Sequence, residues 1–326
     1  MKKVLFNVFF FAILLVACDK QAASESDTRK IWNYRDMVVG YISAGSEGGW
    51  RLAHNNSFKE TAQELGITLK FQDAQSMIER QYSGFRNYVE DGKVNVIVLG
   101  AGDPSDWEFP LREAKDAGKI VIVVDRRIDA PEDLYTTYVG SDFVEEGRKA
   151  AVEMCDLLEE MAGKNAWELV GNVTSSAAED RSRGFREKMD QCGIQITESQ
   201  TANWSSSEGK RVTESWLAES RDVQGIFAQN DEMALGAIEA LKEAGLRPGV
   251  DVKIVSVDAT SGAFEAMLAG ELNVTVECNP LLAPQVYEAA LKALNGETLP
   301  KWIPSREDVF RSDMPNLQEI AAGRKY

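Results

Sequence analysis

The sequence predicts an α/β protein built as two doubly wound, parallel-sheet lobes. Three observations carry this. Short β-branched runs alternate with amphipathic segments, glycines stand just past those segments, and the whole alternation restarts after Tyr138. A parallel sheet with crossover helices is the arrangement that buries such runs on both faces.

In the first array, residues 37–43, 67–72, 94–99 and 120–124 read as strands. Residues 50–65, 77–91 and 104–117 carry apolar side chains at helical spacing. Gly66, Gly92 and Gly118 follow those helices, where a left-handed residue is wanted. The second array opens with a helix over 143–161 and continues with strands near 166–170, 194–199, 223–228 and 252–257, with Gly193 and Gly245 again just past helices. Ligands of such sheets bind at the carboxyl ends of the strands, which places the expected site between the two arrays.

Composition narrows the function. The 326 residues carry 36 Lys and Arg against 52 Asp and Glu, a formal net charge of −16. A surface this acidic repels a phosphate backbone, so no nucleic-acid partner is expected. With 44% apolar and 27% charged residues the chain is one that folds. A single histidine, His54, removes most histidine-based catalytic and metal sites, and its place inside a predicted helix suggests an ordinary surface residue. No metal and no organic cofactor is expected.

Residues 1–17 read as an address. Lys2 and Lys3 precede thirteen residues, 4–16, that are apolar except for Asn7; the run ends in Leu15-Val16-Ala17-Cys18. That is short of the ~20 residues that span a bilayer as a helix, so a signal peptide is expected. The small-residue pair before cysteine resembles a bacterial lipobox, which implies cleavage before Cys18 and lipidation there. Asp19 resembles the signal for retention in the inner membrane, which implies its periplasmic, outer face. Residues 18–36 then form the lipidated cysteine and a polar tether with a reach of about 25 Å as flexible coil. Of the other cysteines, Cys155 and Cys192 lie on predicted helices of the same half and are the candidates for a bridge; burial of these two and Cys278 as small apolar side chains is the alternative. No C-x-x-C spacing exists to support zinc or redox chemistry.

The residues directly after the apolar runs are the informative ones. Asp125 and Arg126 follow one strand, Asn230 and Asp231 another, and Asp258 a third. The loop after the first strand holds Glu47, Trp50 and Arg51, and a further segment holds Arg181. Carboxylates accept two hydrogen bonds, guanidinium groups donate two in parallel, and an amide does both, which suits neighbouring hydroxyls on a ring. Trp50 and Trp204 supply flat faces for the C–H faces of a sugar, while Trp32, Trp107, Trp167, Trp216 and Trp302 read as core or surface. Each residue taken singly has a bland reading; Asp125 or Asp231, for instance, suits a helix cap.

Residues 227–237 (FAQNDEMALGA), together with Val124-Asp125-Arg126, Gly140-Ser141-Asp142, residues 181–185 and Val257-Asp258, resemble the bacterial periplasmic sugar-binding proteins of ABC transporters, the ribose-binding-protein-like group. The resemblance runs from residue 37 to about 304. Residues 46–51, 66–70 and 125–129 look most like the galactofuranose-binding members. The resemblance implies a type I periplasmic binding fold, with one lobe from residues 37–141 plus 278–305 and the other from 142–277 plus 306–326. Three crossings near Ser141, Cys278 and Ser305 would form its hinge. It implies Asp125, Arg126 and a stacking Trp50 from one lobe, and Arg181, Asn230, Asp258 and Trp204 from the other. Arg51 stands where the ribose binder has a second aromatic, and Cys278, beside Glu277, where it has a glutamine. Glu47, Arg51 and Glu277 therefore complete the expected ligand set. Ribose itself fits these departures poorly, and a furanose such as galactofuranose, or a related aldose, fits better.

The expected function is capture of an uncharged monosaccharide by a monomeric lipoprotein and its delivery to the membrane permease of an ABC importer. The alternative is a sensor that presents the same sugar to a chemoreceptor or histidine kinase. An enzyme is not expected: Gly100-Ala101-Gly102-Asp103 begins like a dinucleotide fingerprint but lacks its third glycine, and no nucleophile elbow or Walker loop is present.

Overall fold

The computed structural model describes residues 30–45 and 48–326. The signal-peptide and lipidation expectations at residues 1–17 and Cys18, and the site residue Glu47, lie outside the described residues.

Two six-stranded sheets organise the chain. The first contains β1 (Val38–Ser43), β2 (Thr68–Asp73), β3 (Val96–Leu99), β4 (Ile120–Val124), β5 (Thr137–Gly140) and β11 (Trp302–Pro304), in the order β11-β5-β4-β3-β1-β2. The second contains β6 (Asn165–Val170), β7 (Gln195–Thr201), β8 (Gly225–Ala228), β9 (Lys253–Asp258), β10 (Val274–Glu277) and β12 (Val309–Arg311), in the order β12-β10-β9-β8-β6-β7. All pairings are parallel except β10 with β12. β3 is Val-Ile-Val-Leu and wholly buried, because apolar clusters cover both faces of its sheet. Such a strand reads as a continuous apolar run. The edge strand β7, Gln-Ile-Thr-Glu-Ser-Gln-Thr, is largely exposed and polar, which discourages pairing with another chain.

The helices α1 (Gly48–Leu65), α2 (Ile78–Glu90), α3 (Glu108–Asp116) and α9 (Ala283–Leu294) accompany the first sheet. With the second go α4 (Phe143–Leu158), α5 (Ser176–Cys192), α6 (Ser206–Glu219), α7 (Asp231–Glu243), α8 (Ser261–Leu268) and α10 (Leu317–Ala322). In each sheet the strand order reverses at its first strand: β1 lies between β3 and β2, and β6 between β8 and β7. Loops on either side of that strand leave in opposite directions and open a crevice at the carboxyl ends. The chain passes between the sheets three times, after β5, after β10 and between β11 and β12.

Some local expectations need correction. Gly66, Gly118, Gly193 and Gly245 adopt positive φ, but Gly92 does not; α2 already stops at Asp91, whose backbone is extended. α3 starts at Glu108 rather than 104, since residues 104–107 form a turn in which Asp106 has φ 61°. The sheets also hold β5, β10, β11 and β12 beyond the four strands read in each half. Cys155 and Cys192 form a disulfide between α4 and α5, and Cys278 is free and buried.

His54 is fully buried, against the expectation of a surface residue. Its ring stacks on Trp50 at 4.9 Å, and its Nδ1 lies 2.9 Å from the carbonyl oxygen of Pro280. A carbonyl only accepts, so Nδ1 carries the proton. Burial, aided by the Arg51 guanidinium, pushes the imidazole down to about 4. The sign follows: between about pH 6.5 and 4 the unfolded chain takes up a proton that the fold refuses, so stability falls with pH over that window by about 3 kcal/mol. In His54→Phe, urea unfolding across this range is expected to show a decline shallower by that amount; an unchanged slope would assign the acid sensitivity to other groups.

Candidate functional cleft

One narrow cleft between the two sheets is lined by Trp50, Arg51, Asp125, Arg126, Phe143, Ala177, Arg181, Trp204, Asn230, Asp258 and Cys278. Eight of the ten residues expected from sequence are thus brought together, from strand ends and helix starts in both halves. Glu277 is not among them: its carboxylate accepts from Arg324 at 2.7 Å and from the Tyr326 hydroxyl at 2.9 Å. Phe143, Ala177 and Cys278 line the cleft without having been expected there.

Three of the lining residues have positive φ without being glycine: Asp125 (67°), Trp204 (61°) and Asp258 (120°). Such backbones cost about 1–3 kcal/mol each and persist where the surroundings over-determine them. Asp258 ends β9 and the other two follow β4 and β7, where the turn aims a side chain into the cleft.

Charge in the cleft is arranged as pairs. Arg51 meets Asp125 at 2.6 Å, both nearly inaccessible to water. Burial alone would raise the Asp125 carboxyl, but the guanidinium groups of Arg51 and Arg126 more than reverse this, so it stays below its usual range and ionised. Across the cleft, Arg181 donates through Nε to Glu146 at 2.6 Å and through Nη1 to the Gln229 carbonyl at 2.8 Å. Its Nη2 lies 3.8 Å from Asp258. Burial drives the Asp258 carboxyl well up, against the pull of Arg181 and with help from Asp231, Glu146 and Asp125. The cleft thus pairs an ionised carboxylate on one wall with a carboxyl that resists ionisation on the other.

The aromatic walls are held from behind. Trp50 donates through Nε1 to the Cys278 carbonyl at 2.5 Å. Trp204 lies so close to Gly171 that a Cβ there would stand 2.0 Å from the indole, and the guanidinium groups of Arg126 and Arg181 flank its ring at 5.9 and 5.7 Å. Its Nε1 is buried and meets no acceptor among the described residues, which leaves a donor for a guest. Asn230 is partly committed: its Oδ1 caps α7 by accepting from the Met233 amide at 3.0 Å. Asp231 is held by Ser256, Thr260 and Thr275 and takes no cap role. Burial keeps the Cys278 thiol far from ionising, so it offers no nucleophile.

Comparison with known proteins agrees with this architecture. The profile of the periplasmic binding protein domain matches residues 39–298. The chain is 39% identical over 272 residues to the galactofuranose-binding protein of Escherichia coli (strain K12), covering 81% of this chain and 84% of that one. A Mycobacterium smegmatis structure in complex with β-D-fucofuranose is 38% identical with a TM-score of 0.82, over 88% of this chain and 96% of that one. The binding protein of the arabinose ABC transporter from Shewanella sp. ANA-3, bound to α- and β-L-arabinofuranose, is 36% identical with a TM-score of 0.84, over 89% and 96%. These relatives are binding proteins of sugar transport, not enzymes. On the match to its sequence and the two-sheet fold around one cleft, the chain belongs to the periplasmic binding protein family.

Proposed function

We propose that this protein captures one furanose monosaccharide between its two lobes in the periplasm and hands it to the permease of an ABC importer, while anchored to the inner membrane through Cys18. The observation that carries the reading is the convergence of Trp50, Arg51, Asp125 and Arg126 from one lobe with Arg181, Trp204, Asn230 and Asp258 from the other on a single narrow cleft. Forked donors and acceptors on opposite walls suit vicinal hydroxyls, and the two indoles suit C–H faces. Arg51 is paired with Asp125 and Arg181 with Glu146, and Arg126 lies 4.0 Å from the same Asp125 carboxylate. Relatives crystallised with fucofuranose and arabinofuranose support the ring size.

A thermal-shift screen tests this first. Furanose-locked galactosides or arabinosides at 100 times their Kd are expected to stabilise the protein by about 2.7 kcal/mol. A screen in which no aldose, pyranose or furanose, moves the melt would overturn the reading. Lipid anchoring is tested separately: Cys18→Ser is expected to release the protein from the membrane fraction.

A further inference from the structure

The cleft residue Arg181 is held from the hinge. Glu146, in the first turn of α4, is fully buried; its Oε2 accepts from Arg181 Nε at 2.6 Å. Its Oε1 is buried too and meets no donor among the described residues. What faces Glu146 is Glu307, from the crossing between β11 and β12, with Cys278 from the crossing after β10. The ligand atoms of the three side chains all lie within 4.8 Å of one another. Glu307 is itself anchored: its Oε1 accepts from the hydroxyls of Ser141, on the crossing after β5, and of Ser305, at 2.6 Å. Each of the three chain crossings therefore contributes a side chain to one cluster, buried at Glu146 and Cys278 and half-buried at Glu307.

We propose that Glu146 is a positioning residue for Arg181, and that it works as half of a carboxyl pair with Glu307 that keeps a single proton at the hinge pivot at neutral pH. This deepens the sugar-binding reading and rests on it only for the ligand arm of the test. The argument is one of charge and satisfaction. Two carboxylates in contact repel unless one proton lies between them, and Oε1 of Glu146 is the acceptor left over for it. With one proton the pair carries one negative charge, which the Arg181 guanidinium balances; with none, a net negative charge stays buried.

The other groups facing the pair are the Cys278 thiol, the Tyr138 phenol on β5 and the Asp258 carboxyl beyond Arg181. Each is pushed up by burial and stays uncharged or resists charging, so none adds a second negative charge to the cluster. Lys149 approaches only the Glu307 backbone carbonyl, at 3.2 Å. In agreement, burial and the contact with Glu307 raise the Glu146 carboxyl to about 8 despite Arg181. Loss of the proton at higher pH sets Glu146 and Glu307 against each other, and their separation shifts Glu146 and, with it, the wall that Arg181 forms.

Two measurements on the full chain test the proposal. Infrared spectra of the ligand-free protein near pH 7 are expected to show the carbonyl stretch of a protonated carboxyl that disappears in Glu146→Gln and again in Glu307→Gln. Titration with a methyl furanoside is expected to show wild-type affinity falling as pH rises above about 8, by at most tenfold per pH unit for one linked proton, and a flat profile in both variants. Glu146→Gln itself is expected to bind about 3- to 10-fold more weakly than wild type near pH 7, as a neutral amide replaces a carboxyl that carries part of the pair's negative charge as the acceptor of Arg181 Nε. No carboxyl band lost in either variant near neutral pH, or the same pH profile in wild type and both variants, would overturn the proposal. If the band is present and lost in the variants while no furanoside binds the wild type, the shared proton stands and the ligand reading fails.

Discussion

Arg181→Ala is expected to abolish sugar capture and to destabilise the fold by about 3–5 kcal/mol, the cost of leaving a buried charge without its partner. The structural reason is that Arg181 answers two acids at once, Glu146 at 2.6 Å and Asp258 at 3.8 Å. Its loss leaves both buried acids without that guanidinium. Asp258→Asn removes the other end of the same contact and is expected to behave differently. Asp258 is driven up by burial and only partly relieved by Arg181, so an uncharged amide there spares a desolvation cost and the fold should hold or gain stability. Affinity should nevertheless drop by about 2–5 kcal/mol, roughly 30-fold or more, because the amide puts a donor where the carboxyl offers a second oxygen to the ring hydroxyls. Denaturant melts and binding titrations of the two variants separate these effects. Equal stability losses in both would show that Asp258, like Glu146, is a net stabilising partner of the guanidinium.

The second large effect is confined to stability. The Cys155–Cys192 bridge closes a sequence separation of 37 residues between α4 and α5. In the chain-entropy account that contributes roughly 4 kcal/mol. Where the two helices cross they meet through glycines: a Cβ at Gly184 would stand 1.9 Å from the Val144 carbonyl, and one at Gly147 would stand 2.2 Å from that of Arg181. This close approach is what brings Glu146 to Arg181. The bridge lies nine residues along α4 from Glu146, or ~14 Å at the helical rise. A Cys155→Ala/Cys192→Ala protein is therefore expected to melt at lower temperature and denaturant concentration, yet to bind with wild-type affinity while folded. Weaker binding at low temperature would show that the bridge also sets the geometry of the Glu146–Arg181 contact.

Most of the cleft was legible because strand ends in doubly wound sheets are marked twice, by the end of a β-branched run and by the polar residue that follows it. Asp125, Asn230 and Asp258 were found in this way. Glu277 was misplaced for an equally local reason. Successive side chains of a strand point to opposite faces, so with Cys278 in the cleft its neighbour turns away, and the partners that receive Glu277, Arg324 and Tyr326, are some fifty positions away in sequence. His54 was misread because a histidine counts as polar in an amphipathic pattern, although the buried set of α1 includes Trp50, Arg51, His54, Asn55 and Phe58. The hinge cluster had no local signal: Glu146, Cys278 and Glu307 come from distant stretches and only the crossings bring them together. β11 and β12, three residues each, are too short for any periodicity to be seen.

The cleft between the two sheets is expected to hold one furanose ring. Isothermal titration of wild type and Asp258→Asn with a methyl galactofuranoside and a methyl arabinofuranoside tests it most directly. Saturable binding of one sugar per chain is expected in the wild type, accompanied by a change in tryptophan fluorescence as Trp50 and Trp204 are covered, with little or no heat in the variant. Absence of heat with every furanoside in the folded wild type, or the same affinity in Asp258→Asn, would contradict it.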